Sequence, residues 1–318
     1  MSDEKTAVAL KAAQMYYMQD LTMEAIADEL RVSRSSVSRL LSFARVSGLV
    51  EIQIRSPRDG AVALEQEIRD RYGVSPYIVP APSSLSDVDR LERVAMTAAR
   101  LLNRFVDSNM TLGIAWGSTL SAISRHLQQK EVHNLTVVQL NGAGNNETTG
   151  IEYASEILQR FGGAFQARVQ QFPVPAFFDD PQVKEGLWRE RSTRRVLDIQ
   201  ARMDVALFGL GSPFAEIPSH VYIAGYLDET DYRSLSEDQV VGDVATVFYR
   251  EDGSWADVAL NARATGPGFD RLRKIARRIC VVSGAQKLPS LRGALAAGLI
   301  TDVVLDEGLA RKLAAAPF

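Results

Sequence analysis

The sequence predicts an α/β protein in two parts: a small helical head, then a large doubly wound parallel sheet with helices on both faces. Three observations carry this. Residues 5 to 48 show apolar positions at helical spacing behind good N-cap residues. From residue 74 onward, short and nearly continuous apolar runs alternate with helical stretches, the pattern of strands buried on both faces. Between the two lies RSPRDG, residues 55–60, a cluster of helix and strand breakers.

The head comes first along the chain. Residues 5–18 put Val8, Ala12, Met15 and Tyr16 on one helical face. Thr22 caps a second helix, with Ile26, Ala27 and Leu30 as its apolar stripe. Ser33 caps a third, lined inside by Val37, Leu40, Leu41 and Ala44 and ended by Gly48. LVEIQI, residues 49–54, then reads as a strand, which makes the head a winged helix-turn-helix. Domain limits follow: 1–56 for the head, 57–73 for a helical linker whose Ala61, Leu64, Ile68 and Tyr72 share a face, and 74–318 for the large domain.

In the large domain the strands are expected in PYIVPA, MTLGIAWG, LTVVQLNG, MDVALFGLG, VATVFYRE, RICVVSG and TDVVLD. Helices are expected at 85–107, 118–129, 150–161, 183–202, 269–275, 285–298 and 306–315. REDGSWADV, residues 250–258, reads as a hairpin about Asp252-Gly253.

Composition narrows the function. A net charge of −3 excludes a uniformly basic protein, so any nucleic-acid surface must be a local patch. The single cysteine, Cys280, excludes an intrachain disulfide and a multi-cysteine metal site. No apolar run approaches the ~20 residues of a membrane span. MSDEKTAVAL lacks the basic flank and long apolar core of a signal peptide, so a cytoplasmic location is expected.

One stretch supplies the patch. LRVSRSSVSRLLSFARVSGLV, residues 30–50, holds four arginines and six serines and no acidic residue. With Val37 and Leu40 packed inward, Arg34, Ser35, Ser38 and Arg39 point outward. Serines donate to phosphates or base edges, and arginine forks onto guanine. An acid there would face the phosphate backbone. Thr22, Ser33, Arg34, Ser35, Ser38, Arg39 and Arg45 are the expected contacts to double-stranded DNA. A merely solvated basic face is the plainer alternative; the two N-caps and the inner spacing weigh against it.

TMEAIADELRVSRSSVSRLLSFARVSGLVEI resembles the head of the SorC/DeoR sugar-binding transcriptional regulators. So do AWGSTL at 115–120, NGAG at 141–144, FPVPA at 172–176, GLGS at 209–212, VGDV at 241–244 and SGAQK at 283–287, which together span nearly the whole chain. The resemblance implies an effector domain similar to sugar-phosphate isomerases and deaminases, and a homo-oligomer, dimer or tetramer. It implies operator DNA and a sugar or sugar phosphate as partners.

Ligands of open α/β sheets bind beyond the carboxyl ends of the strands. Gly117, Ser118 and Thr119 open a helix there, with free N–H groups and hydroxyls suited to phosphate. Lys287 adds a point charge. Asn141, Gly142 and Gly144, Gly209 and Gly211, and Asp243 are expected to form the hydroxyl-reading side. Each loop also has a plainer reading as a turn or a cap.

Rival chemistries are poorly served. Neither glycine cluster completes G-x-G-x-x-G, since Glu147 and Phe214 stand at the last position, so no dinucleotide cofactor is expected. His126, His133 and His220 lack metal spacing, and no nucleophile–base pair is legible. Cys280 sits in an apolar strand as an inert thiol. Some relatives carry a Schiff-base lysine where Asn141 stands, so hydrogen-bonded recognition is expected. Trp116, Phe177, Phe178 and Trp188 read as core or interface. The reading is a regulator rather than an enzyme; a sugar-phosphate enzyme with a helical appendage is the alternative.

Overall fold

The computed structural model describes residues 2–19, 21–50, 57–213 and 219–316. It divides into two compact units, residues 1–56 and 57–318. In the first, α1 (Ser2–Tyr17), α2 (Met23–Leu30) and α3 (Arg34–Val46) enclose one small core. Ala9, Ala12 and Ala13 let α1 approach closely, and Ile26, Ala27, Val37, Leu41 and Ala44 fill the space. Thr22 Oγ1 accepts from Ala25 N at 3.2 Å and Ser33 Oγ from Ser36 N at 3.2 Å, so both caps hold the first turns of their helices. Arg31 turns the chain between them in the left-handed region, φ 54°. Leu49 and Val50 form a bend, not a strand, with Val50 N bonded to Ala44 O. Residues 51–54 of the expected wing lie outside the described residues.

The second unit begins with α4 (Pro57–Tyr72). Its sheet contains β1 (Ser75–Val79), β2 (Thr111–Ile114), β3 (Thr136–Gln139), β4 (Arg168–Gln170), β5 (Val205–Gly209), β8 (Arg277–Val282) and β9 (Asp302–Asp306). Their order is β1-β9-β8-β5-β2-β3-β4, with every neighbouring pair parallel. From β2 the chain winds outward through β3 to β4; from β5 it winds the other way through β8 to β9. The crevice between β2 and β5 is therefore the switch point of the sheet. Among the covering helices, α5 (Asp87–Phe105) packs on β8 and β9, α6 (Ser118–Arg125) on β5, α7 (Ile151–Phe165) on β3 and β4, and α9 (Arg191–Gln200) on β2 and β3.

Several expectations give way. VATVFYRE does not join the parallel sheet: β6 (Gly242–Val244) and β7 (Val247–Tyr249) pair as a separate antiparallel ribbon. Asp252-Gly253 forms only a tight turn, closed by Arg250 N on Ser254 O. The hairpin lies one turn earlier, about Ala245-Thr246. The expected helix 183–202 breaks at Glu190, where ψ is 140°, into α8 (Pro181–Arg189) and α9. The edge strand β4, RVQ, is too short to show a period in the sequence. Nor is there an apolar stripe to mark α11 (Glu229–Glu237), a polar helix with a capping box at Asp228.

The segment 57–73, expected as a linker, is built into the second unit. Leu64 and Ile68 of α4 join the large core. Glu65 Oε1 accepts from Ile78 N of β1 at 3.3 Å. Arg71 donates to Ala314 O at 2.6 Å and also to Ala316 O, at the end of α14 (Glu307–Ala315). Ile68 is fully buried. Replacing it with alanine is expected to lower the urea-unfolding free energy of the large unit by about 2–5 kcal/mol. A helix that merely connected two bodies would lose no more than ~0.5 kcal/mol, as surface substitutions do.

Candidate functional site

A cavity of about 50 Å³ lies at the switch point. The loop after β2 supplies Gly117, Ser118 and Thr119 of α6; the loop after β5 supplies Gly209 and Gly211; Asn141 follows β3, Lys287 follows β8, and Asp243 comes from β6. Gly117 has φ 132°, a value side chains rarely adopt, and it caps α6 without any side-chain hydrogen bond. The first turn of α6 therefore presents backbone N–H groups and the positive end of its dipole. Thr119, itself buried, packs 3.1 Å from where a side chain at Gly209 would begin, so Gly209 is small to admit it.

The polar groups of this cavity are incompletely satisfied. Lys287 Nζ donates to Leu210 O at 2.9 Å. Asp243 is 4% exposed; its Oδ2 accepts from Thr246 N at 3.1 Å. Asp243 Oδ1, Asn141 Oδ1 and the Oη of nearby Tyr222 have no hydrogen-bond partner among the described residues. Tyr222 and Asp243 still lie near enough to shift each other's titration. A buried acceptor left unpaired costs about 1–3 kcal/mol, so donors such as sugar hydroxyls are favoured there.

Burial raises the Asp243 carboxyl from 3.8 to about 6, against the opposing pull of Thr246 N, Tyr222 and Lys287. Burial also lowers the Lys287 ammonium, with Asp243 resisting. The ribbon turn beside them is strained: Ala245 has φ 48° and Thr246 φ 71°, where hairpins of this kind prefer Asn-Gly. Such non-glycine residues cost of order 1–3 kcal/mol each and persist where surroundings over-determine them.

Two predicted residues stand apart. Gly142 and Gly144 do not line the cavity. Gly142 instead packs against the 174–175 backbone, where an added side chain would meet Pro175 O at 2.1 Å. Its own carbonyl accepts from Trp116 Nε1 at 2.8 Å, and Gly144 pairs with Pro175. Sequence reasoning missed Trp116, which walls the cavity, and Ser219, Val221 and Thr246. Trp116 sits inside the AWGSTL motif, and Thr246 three residues after Asp243; Ser219 precedes, and Val221 lies in, a four-residue helix (His220–Ile223) too short to show a period.

On the head, Ser33, Arg34, Ser35, Ser38, Arg39 and Arg45 are all exposed, as is Thr22. With Val37, Leu41 and Ala44 buried, the residues from Ser33 to Arg45 form one outward face of α3 and its N-cap, while Thr22 caps α2. Arg34 Nε pairs with Glu24 at 2.6 Å, both side chains largely exposed. Such a pair is worth ~1 kcal/mol or less, so a phosphate or base can displace it.

The chain joins a helix-turn-helix unit to a parallel-sheet unit with an unsatisfied polar cavity at its switch point, the two parts of a ligand-responsive regulator. The model of the sugar-binding domain family (Sugar-bind) matches residues 56–315. The deoxyribonucleoside regulator of Bacillus subtilis (strain 168) is 31% identical over 316 residues, covering 98% of this chain and 99% of its own. A domain of "a possible sugar-binding transcriptional regulator" from Arthrobacter aurescens TC1 superposes with a TM-score of 0.77 at 56% identity, over 82% of this chain and all of that one. The full-length sorbitol operon regulator SorC of Klebsiella pneumoniae shares the fold over 98% of this chain and 99% of its own, with a TM-score of 0.72 at 23% identity. The chain belongs to the SorC/DeoR family of sugar-binding transcriptional regulators.

The titration of Asp243 gives a direct check. A carboxyl whose folded value is raised contributes stability that is complete below its ordinary value near 4 and is lost as pH rises through about 6. Asp243→Asn removes that loss. The stability of the variant relative to wild type, both without ligand, is expected to grow by about 2–3 kcal/mol between pH 4 and pH 8 in urea unfolding. A difference independent of pH would show that Asp243 is not held against ionisation.

Proposed function

We propose that α3 reads double-stranded operator DNA, and that a sugar or sugar phosphate bound at the β2–β5 crevice controls that binding. The observation that supports the effector half is the convergence of Asn141, Asp243, Lys287 and the open first turn of α6 on one cavity. Gly117, Ser118 and Thr119 with Lys287 form its anion-holding pole; Asn141 and Asp243 read hydroxyls, and Gly209 and Gly211 let them approach. Relatives named for a deoxyribonucleoside and for a sorbitol operon point to a polyhydroxylated metabolite. The cavity is far smaller than the roughly 300 Å³ of small ligand pockets, so an effector binds only in a more open state of this crevice. Binding that discriminates between a closed and an open state is what an allosteric effector requires.

The protein acts as a regulator and not as an enzyme; its relatives are regulators. No helix among the described residues is long and apolar enough to cross a membrane, and operator binding places the protein in the cytoplasm. One recognition helix makes too small an interface for tight specific binding, so the working form is a homo-oligomer, dimer or tetramer, with heads set about 34–36 Å or a multiple apart. A gel shift beside a turnover assay on sugar phosphates separates regulator from enzyme: turnover without specific DNA binding overturns the reading.

Two variant sets test the two halves. Arg34→Ala and Arg39→Ala are expected to weaken operator binding by about 1–3 kcal/mol each. A base contact would relax specificity at one position, and a phosphate contact would weaken all sequences alike. Wild-type affinity and salt slope in both would remove α3 from the interface. Lys287→Ala is expected to weaken a phosphorylated effector by roughly tenfold to a hundredfold, leaving ligand-free operator affinity unchanged. Full response of Lys287→Ala and Thr119→Ala at the wild-type effector concentration would place the pocket elsewhere.

A further inference from the structure

The helix α8 is unusual in burying none of its side chains fully. Leu187 and Trp188 are half-buried, and Val183 is 57% exposed. It forms a ridge between two grooves of opposite charge. Lys184 and Trp188, one turn apart, face a groove of about 770 Å³. Its floor includes Leu197, Met203, Val247 and Trp255, and its rim carries Arg194, Arg271 and Lys274. The side chains of these three cations have no ion pair or hydrogen bond among the described residues. Among the described residues, Asp198 is the one acid lining that groove.

Asp180 and Val183, on the other flank of the ridge, face a groove of about 710 Å³. Phe177 and Phe178 lie beneath it. Glu147, Asp179, Asp180, Asp228 and Asp231 line it against one cation among the described residues, Arg263. Asp231 is buried and engaged with Arg263; Asp179, its side chain fully exposed, stands 3.7 Å from the same guanidinium. On a chain whose net charge is only −3, this separation is local.

We propose that two copies of this chain meet across the α8 ridge, the cationic flank of each facing the acidic flank of the other. In a two-fold contact, a feature on one side of the axis faces the partner's feature on the opposite side. Opposite charges flanking one ridge are what an axis through that ridge needs in order to be self-complementary. The same contact covers Val183 and the half-exposed apolar residues of α8. A small anion in the first groove would explain its cations but neither the acidic groove nor the bare ridge. From the proposed function the inference takes only the two-fold assembly.

The test is a charge swap on the full chain, read by sedimentation. One variant carries Arg271→Glu and Lys274→Glu; the other carries Glu147→Lys and Asp179→Lys. Each alone is expected to associate at least ~tenfold more weakly, halving the mass at this interface, because like charges then face each other. An equimolar mixture is expected to regain the wild-type mass, since every flank again meets its opposite. Thermal unfolding checks that both variants fold, and Val183→Arg, at an exposed position, gives an independent break in the ridge. Wild-type mass in the variants removes this surface while leaving the assembly intact; a monomeric wild type removes the assembly as well. Loss without recovery on mixing also overturns the proposal. If pyrophosphate stabilises the wild type, and the first variant keeps its mass but loses that stabilisation, the groove is an anion site instead.

Discussion

Gly211 and Asp243 exchange backbone hydrogen bonds, N to O at 2.9 Å and 3.4 Å, and Asp243 Oδ1 lies 1.6 Å from where a side chain at Gly211 would begin. Only glycine permits that approach. It fixes the β6–β7 ribbon against the end of β5 and buries a carboxylate beside Lys287. The ribbon can keep its strained Ala245-Thr246 turn because Asp243 Oδ2 accepts from Thr246 N. Gly242 extends the fit, since a side chain there would meet Gly211 O at 2.7 Å and Ser290. Burial, strain and an unpaired acceptor thus share one cause, which is the closeness of two backbones.

The sequence shows the parts of this arrangement more clearly than their joining. Parallel strands buried on both faces are near-continuous apolar runs, so six of the seven strands of the sheet are legible. The glycine and hydroxyl residues that end β2 and β5 are legible too, because loops at strand ends favour glycine for close approach. What stays hidden depends on contacts distant in sequence. VATVFYRE has the apolar run of a sheet strand, and only the docking of Gly242–Asp243 on Gly211 makes it a ribbon. Gly142 looks like a ligand loop but is small for the sake of Pro175 and Val174. The break at Glu190 leaves no proline or glycine to mark it.

The order of the strands explains why the polar residues gather where they do. Loops after β2 and β5 depart in opposite directions and leave a gap that neither covering layer fills. Helix α6 points its first turn at that gap, and the loops after β3 and β8 reach it from the flanking strands. Residues from 117 to 287 thereby meet within one small cavity. An unsatisfied Asn141 in the middle of a sheet edge would be a liability in a protein that bound nothing there.

A second buried carboxylate ties that gap to the start of the unit. Asp306, at the end of β9, accepts from Gly284 N at 2.7 Å and from Leu309 N at 3.0 Å. The first bond holds the loop that carries Lys287; the second caps α14. Arg90 Nη1 stands 3.6 Å from the same group and balances its charge. The far end of α14 in turn accepts the guanidinium of Arg71 from α4, the helix into which the head's chain runs. The loop at the cavity and the helix that follows the head are therefore joined through one fully buried carboxylate and one helix. A displacement of the Lys287 loop alone would take Gly284 N from Asp306 Oδ2 and leave the carboxylate to Leu309 N and Arg90. A buried acceptor oxygen that loses its only donor costs about 1–3 kcal/mol, which favours keeping loop and α14 together.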